Sequence, residues 1–156
     1  MNWIIKDTKR IGRHTDLSTL LNEDWIEIEK YNWFLSDLDI INFDDYEGKS
    51  LSIDFREEFH LPNFETFTEI LQANIQIIWG VISAIKNESP QFDTKNLPYV
   101  EGNGEIWIDN YFQIPNALIE ITAWDSSYTI VKFRDENLSK KFKNYFPEAI
   151  LLSEFK

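Results

Sequence analysis

The sequence predicts an α+β fold in which one mostly antiparallel β-sheet carries two or three packed helices. Its length of 156 residues suits a single domain, which we place at residues 1–156. An apolar, β-branched run lies at mid-chain. Segments that alternate apolar and polar residues, as strands do, are interspersed with segments of three- and four-residue helical spacing.

The mid-chain run, residues 75–85, is the longest apolar stretch and predicts the central strand. Its β-branched residues and its lack of charge are typical of a strand that is buried on both faces. Its polar residues are Gln76 and Ser83, so the run indicates packing rather than chemistry. We expect the strands that precede and follow it in sequence to pair around it.

The residues before this run predict strands joined by two helices. Strands are predicted at residues 2–6, 31–41 and 51–55, and helices at residues 16–22 and from Asn63 onward. Thr15 or Asp16 caps the first helix, and Asn63 caps the amphipathic second helix. In the second strand, alternation places Trp33, Leu35 and Asp37 on one face and Leu38 on the other.

The residues after the run predict a loop, a hairpin and a last helix. The Pro- and Gly-containing segment 87–104 is predicted as a loop, 105–109 as a short strand, 118–123 and 129–133 as a hairpin, and 150–152 as a terminal strand. Asp135 caps a helix whose lysines gather toward its C-terminus, and Pro147 marks its end.

The net charge of −12 is concentrated in one third of the chain. Residues 14–69 hold fifteen acidic and three basic residues, whereas residues 1–13 are net basic. A field of this sign repels nucleic acid and anionic membranes and attracts basic partners. The chain has no cysteine, its N-terminal apolar segment is too short for a signal peptide, and no apolar run reaches the length of a membrane span. We therefore expect a cytoplasmic protein without nucleic-acid or membrane partners.

Motifs that carry chemistry are weak in this sequence. Gly48-Lys49-Ser50 lacks the earlier glycine of a phosphate-binding loop, and the acidic run 37–48 lacks the spacing of a calcium loop. His60 could act as a general base beside Glu57 or Glu58, but its local sequence is more typical of a loop that enters a helix. We predict no catalytic residues, no metal and no cofactor.

Three segments carry a family resemblance: Tyr-Asn-Trp-Phe-Leu-Ser-Asp at 31–37, Ile-Ile-Trp-Gly-Val-Ile-Ser-Ala-Ile at 77–85, and Glu-Ile-Thr-Ala-Trp-Asp-Ser-Ser-Tyr-Thr at 120–129. Followed by the helix at 135–145, they resemble small bacterial proteins that include the immunity proteins of polymorphic and contact-dependent toxin systems. The resemblance implies a bacterial cytoplasmic protein that binds and blocks the C-terminal domain of one cognate toxin. It implies no particular inhibitory residues.

Residue composition points to the acidic third as the partner-binding surface. Acidic residues steer a basic partner, such as a nuclease toxin domain, and aromatic residues supply buried contact area. The predicted partner-binding residues are Asp24, Trp25, Glu27, Glu29, Asp37, Asp39, Asp44, Asp45, Tyr46 and Glu47. Two alternatives stay open. One is a non-enzymatic interaction or regulatory module, either a monomer or a homodimer formed through an uncovered sheet edge. The other is a carboxylate-dependent hydrolase.

Overall fold

The protein is described by a computed structural model that covers residues 1–7, 9–44 and 51–156. Seven antiparallel strands form one sheet in the order β3-β2-β4-β5-β6-β1-β7. The strands are β1 (Trp3–Ile5), β2 (Asn32–Asn42), β3 (Phe59–His60), β4 (Ile75–Ile85), β5 (Ile119–Trp124), β6 (Tyr128–Phe133) and β7 (Ile150–Leu151). The predicted α+β fold with a mostly antiparallel sheet is confirmed.

Three helices pack on one face of the sheet: α1 (Leu17–Leu20), α2 (Phe64–Gln72) and α3 (Glu136–Tyr145). Each begins at the cap that the sequence predicts, since Asp16, Asn63 and Asp135 accept hydrogen bonds from first-turn amides. Their apolar faces join the main core with the inward residues of the strands. In the described part of the chain, no helix is long and apolar enough to cross a membrane.

The opposite face of the sheet is covered by the long segment between β4 and β5. This segment contains a single turn of 3-10 helix, Gly104–Trp107, and packs onto the strands through two smaller apolar clusters. One cluster includes three half-buried tryptophans, Trp79, Trp107 and Trp124, in edge-to-face contact at 5.5 Å between ring centroids. β4 therefore lies between two layers, as its apolar sequence predicts.

An irregularity at Asp37 divides β2 into two halves. Asp37 has a φ of 53°, and the register against β4 shifts between Ser36 and Asp39, which is the geometry of a β-bulge. Beyond the bulge the alternation is reversed, so Leu38 packs into the helix-side core with Trp33 and Leu35. The predicted division of this strand into faces is therefore wrong from Asp37 onward.

Gly80 on β4 lies against the bulge. A Cβ atom at Gly80 would lie 2.8 Å from Leu38 Cδ2, closer than side chains approach one another. A larger residue here would therefore force the Leu38 side chain to shift.

Two predicted strands are wrong, and one strand was not predicted. Residues 51–55 form a loop, although Leu51, Ile53 and Phe55 are half-buried against the core as their alternation indicates. Residues 105–109 fall largely in the 3-10 turn Gly104–Trp107. The missed strand is β3, which has two residues and lies in the segment interpreted as a loop.

Candidate functional site

A groove of about 690 Å³ runs beside the second half of β2 in the acidic third. Its lining comes from β2 on one side and from the loop at residues 51–56 on the other. A second groove, of about 480 Å³, continues it toward Pro98 and shares Leu38, Asp39, Phe55 and Arg56 with it. We call the two together the β2 groove.

The β2 groove has an apolar floor and an acidic rim. The floor is formed by side chains that also pack against the main core: Leu38, Ile40, Leu51, Ile53 and Phe55. The rim carries five carboxylates and one guanidinium among the described residues: Asp37, Asp39, Asp54, Glu57, Glu58 and Arg56. This charge balance favours a cationic ligand over an anionic one.

Asp37 is held in place by the covering segment. Its Oδ2 accepts a hydrogen bond of 2.7 Å from the backbone N–H of Val100, and the neighbouring Ser36 hydroxyl donates to Pro98 O at 2.8 Å. Partial burial raises the pKa of the Asp37 carboxyl, the Val100 N–H opposes that rise, and the charges of Glu101 and Asp39 add to it. Asp37 thus has a structural role as well as a place on the rim.

Asp54 and Arg56 form a bidentate pair on the opposite rim. Arg56 Nη2 lies 2.8 Å from Asp54 Oδ2 and Arg56 Nε 2.9 Å from Oδ1. The hydrogen bonds from the Arg56 side chain lower the pKa of Asp54 to about 2, so Asp54 is ionised at neutral pH. Asp39, Glu57 and Glu58 are exposed and have no basic partner within ion-pair distance among the described residues. These three carboxylates are therefore available to a ligand.

The structure separates the predicted acidic residues into two groups. Asp37 and Asp39 lie on the β2 groove, and Asp44 lines a neighbouring depression of about 480 Å³ beside α2. Asp45, Tyr46 and Glu47 lie outside the described residues. Glu29 lines a small depression with Asn32, at the far end of β2. Asn32 and Asp39 lie on the same strand, and at about 3.3 Å per residue they are roughly 20 Å apart.

The group far from the groove consists of Asp24, Trp25, Glu27 and Glu29. A lysine partly neutralises its charge, and the Trp25 side chain is buried. Glu27 forms an ion pair of 2.7 Å with Lys30, whose hydrogen bond lowers the pKa of Glu27. Trp25 is only 2% exposed, its indole N–H donates to Leu20 O at 2.8 Å, and its ring packs edge-on against Phe142. The prediction of Trp25 as a partner-binding anchor is therefore wrong, because its side chain belongs to the core. Asp24, which precedes Trp25 in the sequence, is exposed.

Three carboxylates of the rim were not predicted. Asp54 was interpreted as the polar residue of a strand, and Glu57 and Glu58 only as possible partners of His60. Their signal was present in the sequence, since all three belong to the acidic third. What the sequence does not reveal is that the loop carrying them folds back beside β2.

His60 lies in β3 next to the groove and is buried. Burial lowers the pKa of its imidazole, while the charges of Glu57 and Asp54 oppose that effect. No hydrogen bond joins it to Glu57 or Glu58, and its Nε2 has no partner in the described part of the chain. Burial therefore favours the uncharged form of this imidazole.

A second polar group lies under the covering segment, away from the groove. Glu120 and Lys132 are neighbours across β5 and β6, both are fully buried, and Lys132 Nζ lies 3.9 Å from Glu120 Oε1. Lys132 donates to Tyr111 O at 2.8 Å, and Glu120 Oε2 accepts from Gln113 N at 2.7 Å. These contacts tie the covering segment to the sheet. Among the residues that the structure describes, no group of three His, Asp or Glu side chains could hold a metal ion.

No protein-family model, curated protein or solved structure matches this chain. Function is therefore inferred from the β2 groove and the charges around it.

Proposed function

We propose that this protein is a cytoplasmic immunity protein, which binds a cognate bacterial toxin domain in a stoichiometric complex through the β2 groove. The observation that supports this most directly is the groove itself, with an apolar floor and an acidic rim in a chain of net charge −12. An inhibitor of this kind needs a stable core and a complementary surface, and no reaction of its own.

The charge of the rim fits a basic toxin domain, such as a nuclease. A nuclease that binds phosphates presents lysine and arginine side chains around its substrate site. Asp39, Glu57 and Glu58 would pair with those side chains, speed association and occupy the surface that nucleic acid needs. The floor would supply the apolar area that keeps the complex together once formed.

Co-purification tests this proposal. The tagged protein is expressed with the C-terminal domain encoded by the gene immediately upstream, and the complex is washed at high salt. We expect an untagged partner to be retained in a 1:1 complex, and to kill cells when it is expressed alone. A protein that purifies without a partner would count against immunity.

Charge reversal then tests the surface. We expect Asp39→Lys/Glu57→Lys/Glu58→Lys to slow association and to weaken binding by at least about tenfold. The matched control is Glu23→Lys/Asp24→Lys/Glu29→Lys, which changes the net charge equally at exposed residues that do not line the β2 groove. An equal effect of both variants would mean that the net charge of the protein, and not the groove, determines the affinity.

One alternative function has a specific observation in its favour. The second half of β2 is a sheet edge without a neighbouring strand in the described residues, and such an edge can pair with a second copy. A homodimeric interaction module would then be the function. Light scattering across a range of protein concentrations distinguishes a homodimer from a monomer. The immunity proposal requires a monomer, because a second copy would occupy the edge that binds the toxin domain.

A further inference from the structure

We infer that the partner enters the β2 groove as an extended basic segment that adds a strand to the open edge of β2. The inference rests on the proposed function, because it specifies how the partner occupies the same groove. It assigns the main binding contacts to backbone groups of Leu38 and Ile40, with side chains of the rim selecting the partner's charge.

The direction of these backbone groups follows from the ladder between β2 and β4. Phe43 N donates to Asn74 O, so the backbone of residue 43 points toward β4. Consecutive residues of an antiparallel strand point alternately to the two sides. Ile41 therefore also faces β4, and the N–H and C=O groups of Ile40 point away from β4. A second register shift against β4 lies between Asp39 and Ile40. The Leu38 side chain packs against the same core as that of Ile40, so the backbone groups of Leu38 also point away from β4.

These outward groups are unpaired within the described chain. β3 pairs with β2 only at Leu35 and Ser36, and no backbone hydrogen bond from residues 51–58 reaches Leu38 or Ile40. The pairing with β3 ends at Ser36, next to the bulge at Asp37 with its φ of 53°. Among the described residues, the edge at Leu38 and Ile40 therefore has no backbone partner.

The lining of the groove defines the sequence that would fit. Side chains of an added strand point alternately to the two faces of the sheet. One set would meet the apolar floor around Leu38 and Ile53, and the other would meet carboxylates such as Asp39 and Glu58. An extended segment that alternates apolar residues with lysine or arginine satisfies both sets, which is strand addition with charge selection.

The same charges argue for a foreign strand over a second copy of this chain. Symmetric pairing of two β2 edges would bring the carboxylates of one rim against those of the other. Like charges that face one another across a strand pair are destabilising. The acidic rim thus protects the edge from self-association while leaving it open to a basic strand.

Amide exchange measured by NMR tests the pairing directly. The probe is a soluble peptide of alternating valine and lysine, added to isotope-labelled full-length protein. We expect the amides of Leu38 and Ile40 to exchange fast in the free protein and at least about tenfold more slowly with the peptide bound. The internal control is Ile41, whose amide faces β4 and should be protected in both samples.

Two further samples separate strand addition from charge attraction. Peptides with the same side chains, but N-methylated either on every valine or on every lysine, lose the amide donors of one edge. We expect one of the two to bind at least about tenfold more weakly than the parent. We also expect Ile40→Pro, which removes an outward donor, to weaken binding, whereas Ile40→Val keeps that donor and should not.

Each other outcome overturns the inference in a recognisable way. Peptide binding without protection of Leu38 and Ile40, or equal binding by all three peptides, would mean that charge alone holds the peptide. Protection in the free protein would mean that the edge is already paired, and a dependence on protein concentration would identify a second copy. Absence of peptide binding would also refute strand addition. Co-purification with the toxin domain remains a separate test, so the proposed function can survive any of these results.

Discussion

Removing the buried cation Lys132 should destabilise the fold strongly. In Lys132→Met the fully buried carboxylate of Glu120 loses a partner whose Nζ lies 3.9 Å from its Oε1. At an effective dielectric constant of about 20, that distance corresponds to an attraction of about 4 kcal/mol. The carbonyl of Tyr111 loses its 2.8 Å hydrogen bond as well. We expect the free energy of unfolding to fall by about 3–5 kcal/mol.

The double variant Lys132→Met/Glu120→Gln should recover much of this loss. It removes both charges, and the glutamine oxygen can still accept the hydrogen bond from Gln113 N. Replacing both members of a buried pair is commonly close to neutral, whereas removing one leaves an uncompensated charge. Urea unfolding followed by tryptophan fluorescence at neutral pH measures the wild type, both single variants and the double variant as a cycle.

A small effect of Lys132→Met would refute this reasoning. Burial raises the pKa of Glu120 and lowers the pKa of Lys132, so both shifts oppose the charged pair. A loss below about 1 kcal/mol would mean that Glu120 is protonated in the folded protein and that no ion pair holds the covering segment. The cycle would then give a coupling energy near zero.

Two other predictions concern the groove and its surroundings. Gly80→Ala should lower the free energy of unfolding by about 1–3 kcal/mol, because the new Cβ would lie 2.8 Å from Leu38 Cδ2. Gly80→Ala/Leu38→Ala should lose less than the sum of the two single variants in the same urea assay, and simple additivity would contradict the contact. Burial lowers the pKa of His60 below 6.5, so its stabilising contribution is present above that value and is lost as the pH falls through the folded-state pKa. Between pH 7.5 and pH 5 the free energy of unfolding should therefore fall less in His60→Phe than in the wild type. An equal fall in both proteins would show that His60 does not titrate on unfolding. Any dependence that remains includes that of His14, whose pKa is also lowered by burial.

Regular elements were predictable because their side-chain spacing reports burial on a regular backbone. The run at 75–85 became β4, and the caps Asn63 and Asp135 begin the helices that they predict. The alternation in residues 51–55 also reports burial correctly, but no strand is there. Alternation shows which side chains face the core, whereas a strand also requires backbone partners, which a local pattern does not contain.

The candidate site depends on features that a local pattern cannot show. Nothing in the sequence around Asp37 indicates its positive φ or the register shift that begins beside it. Trp25 is flanked by exposed acids, but its ring turns inward to Phe142 on a helix more than a hundred residues away. Glu120 lies on the sheet face opposite the helices and is buried only because the covering segment lies over it. Each case is decided by contacts between distant parts of the chain.

The bulge at Asp37 connects the fold to the proposed site. Gly80 on the neighbouring strand accommodates it, since a Cβ atom there would lie 2.8 Å from Leu38 Cδ2. The bulge needs the covering segment, because the carboxylate of Asp37 is held by Val100 N. It also reverses the alternation of β2, which places the side chains of Leu38 and Ile40 in the apolar floor. A sheet that lacked this bulge could continue the pairing of β3 with β2 beyond Ser36, so the proposed strand addition depends on this irregularity.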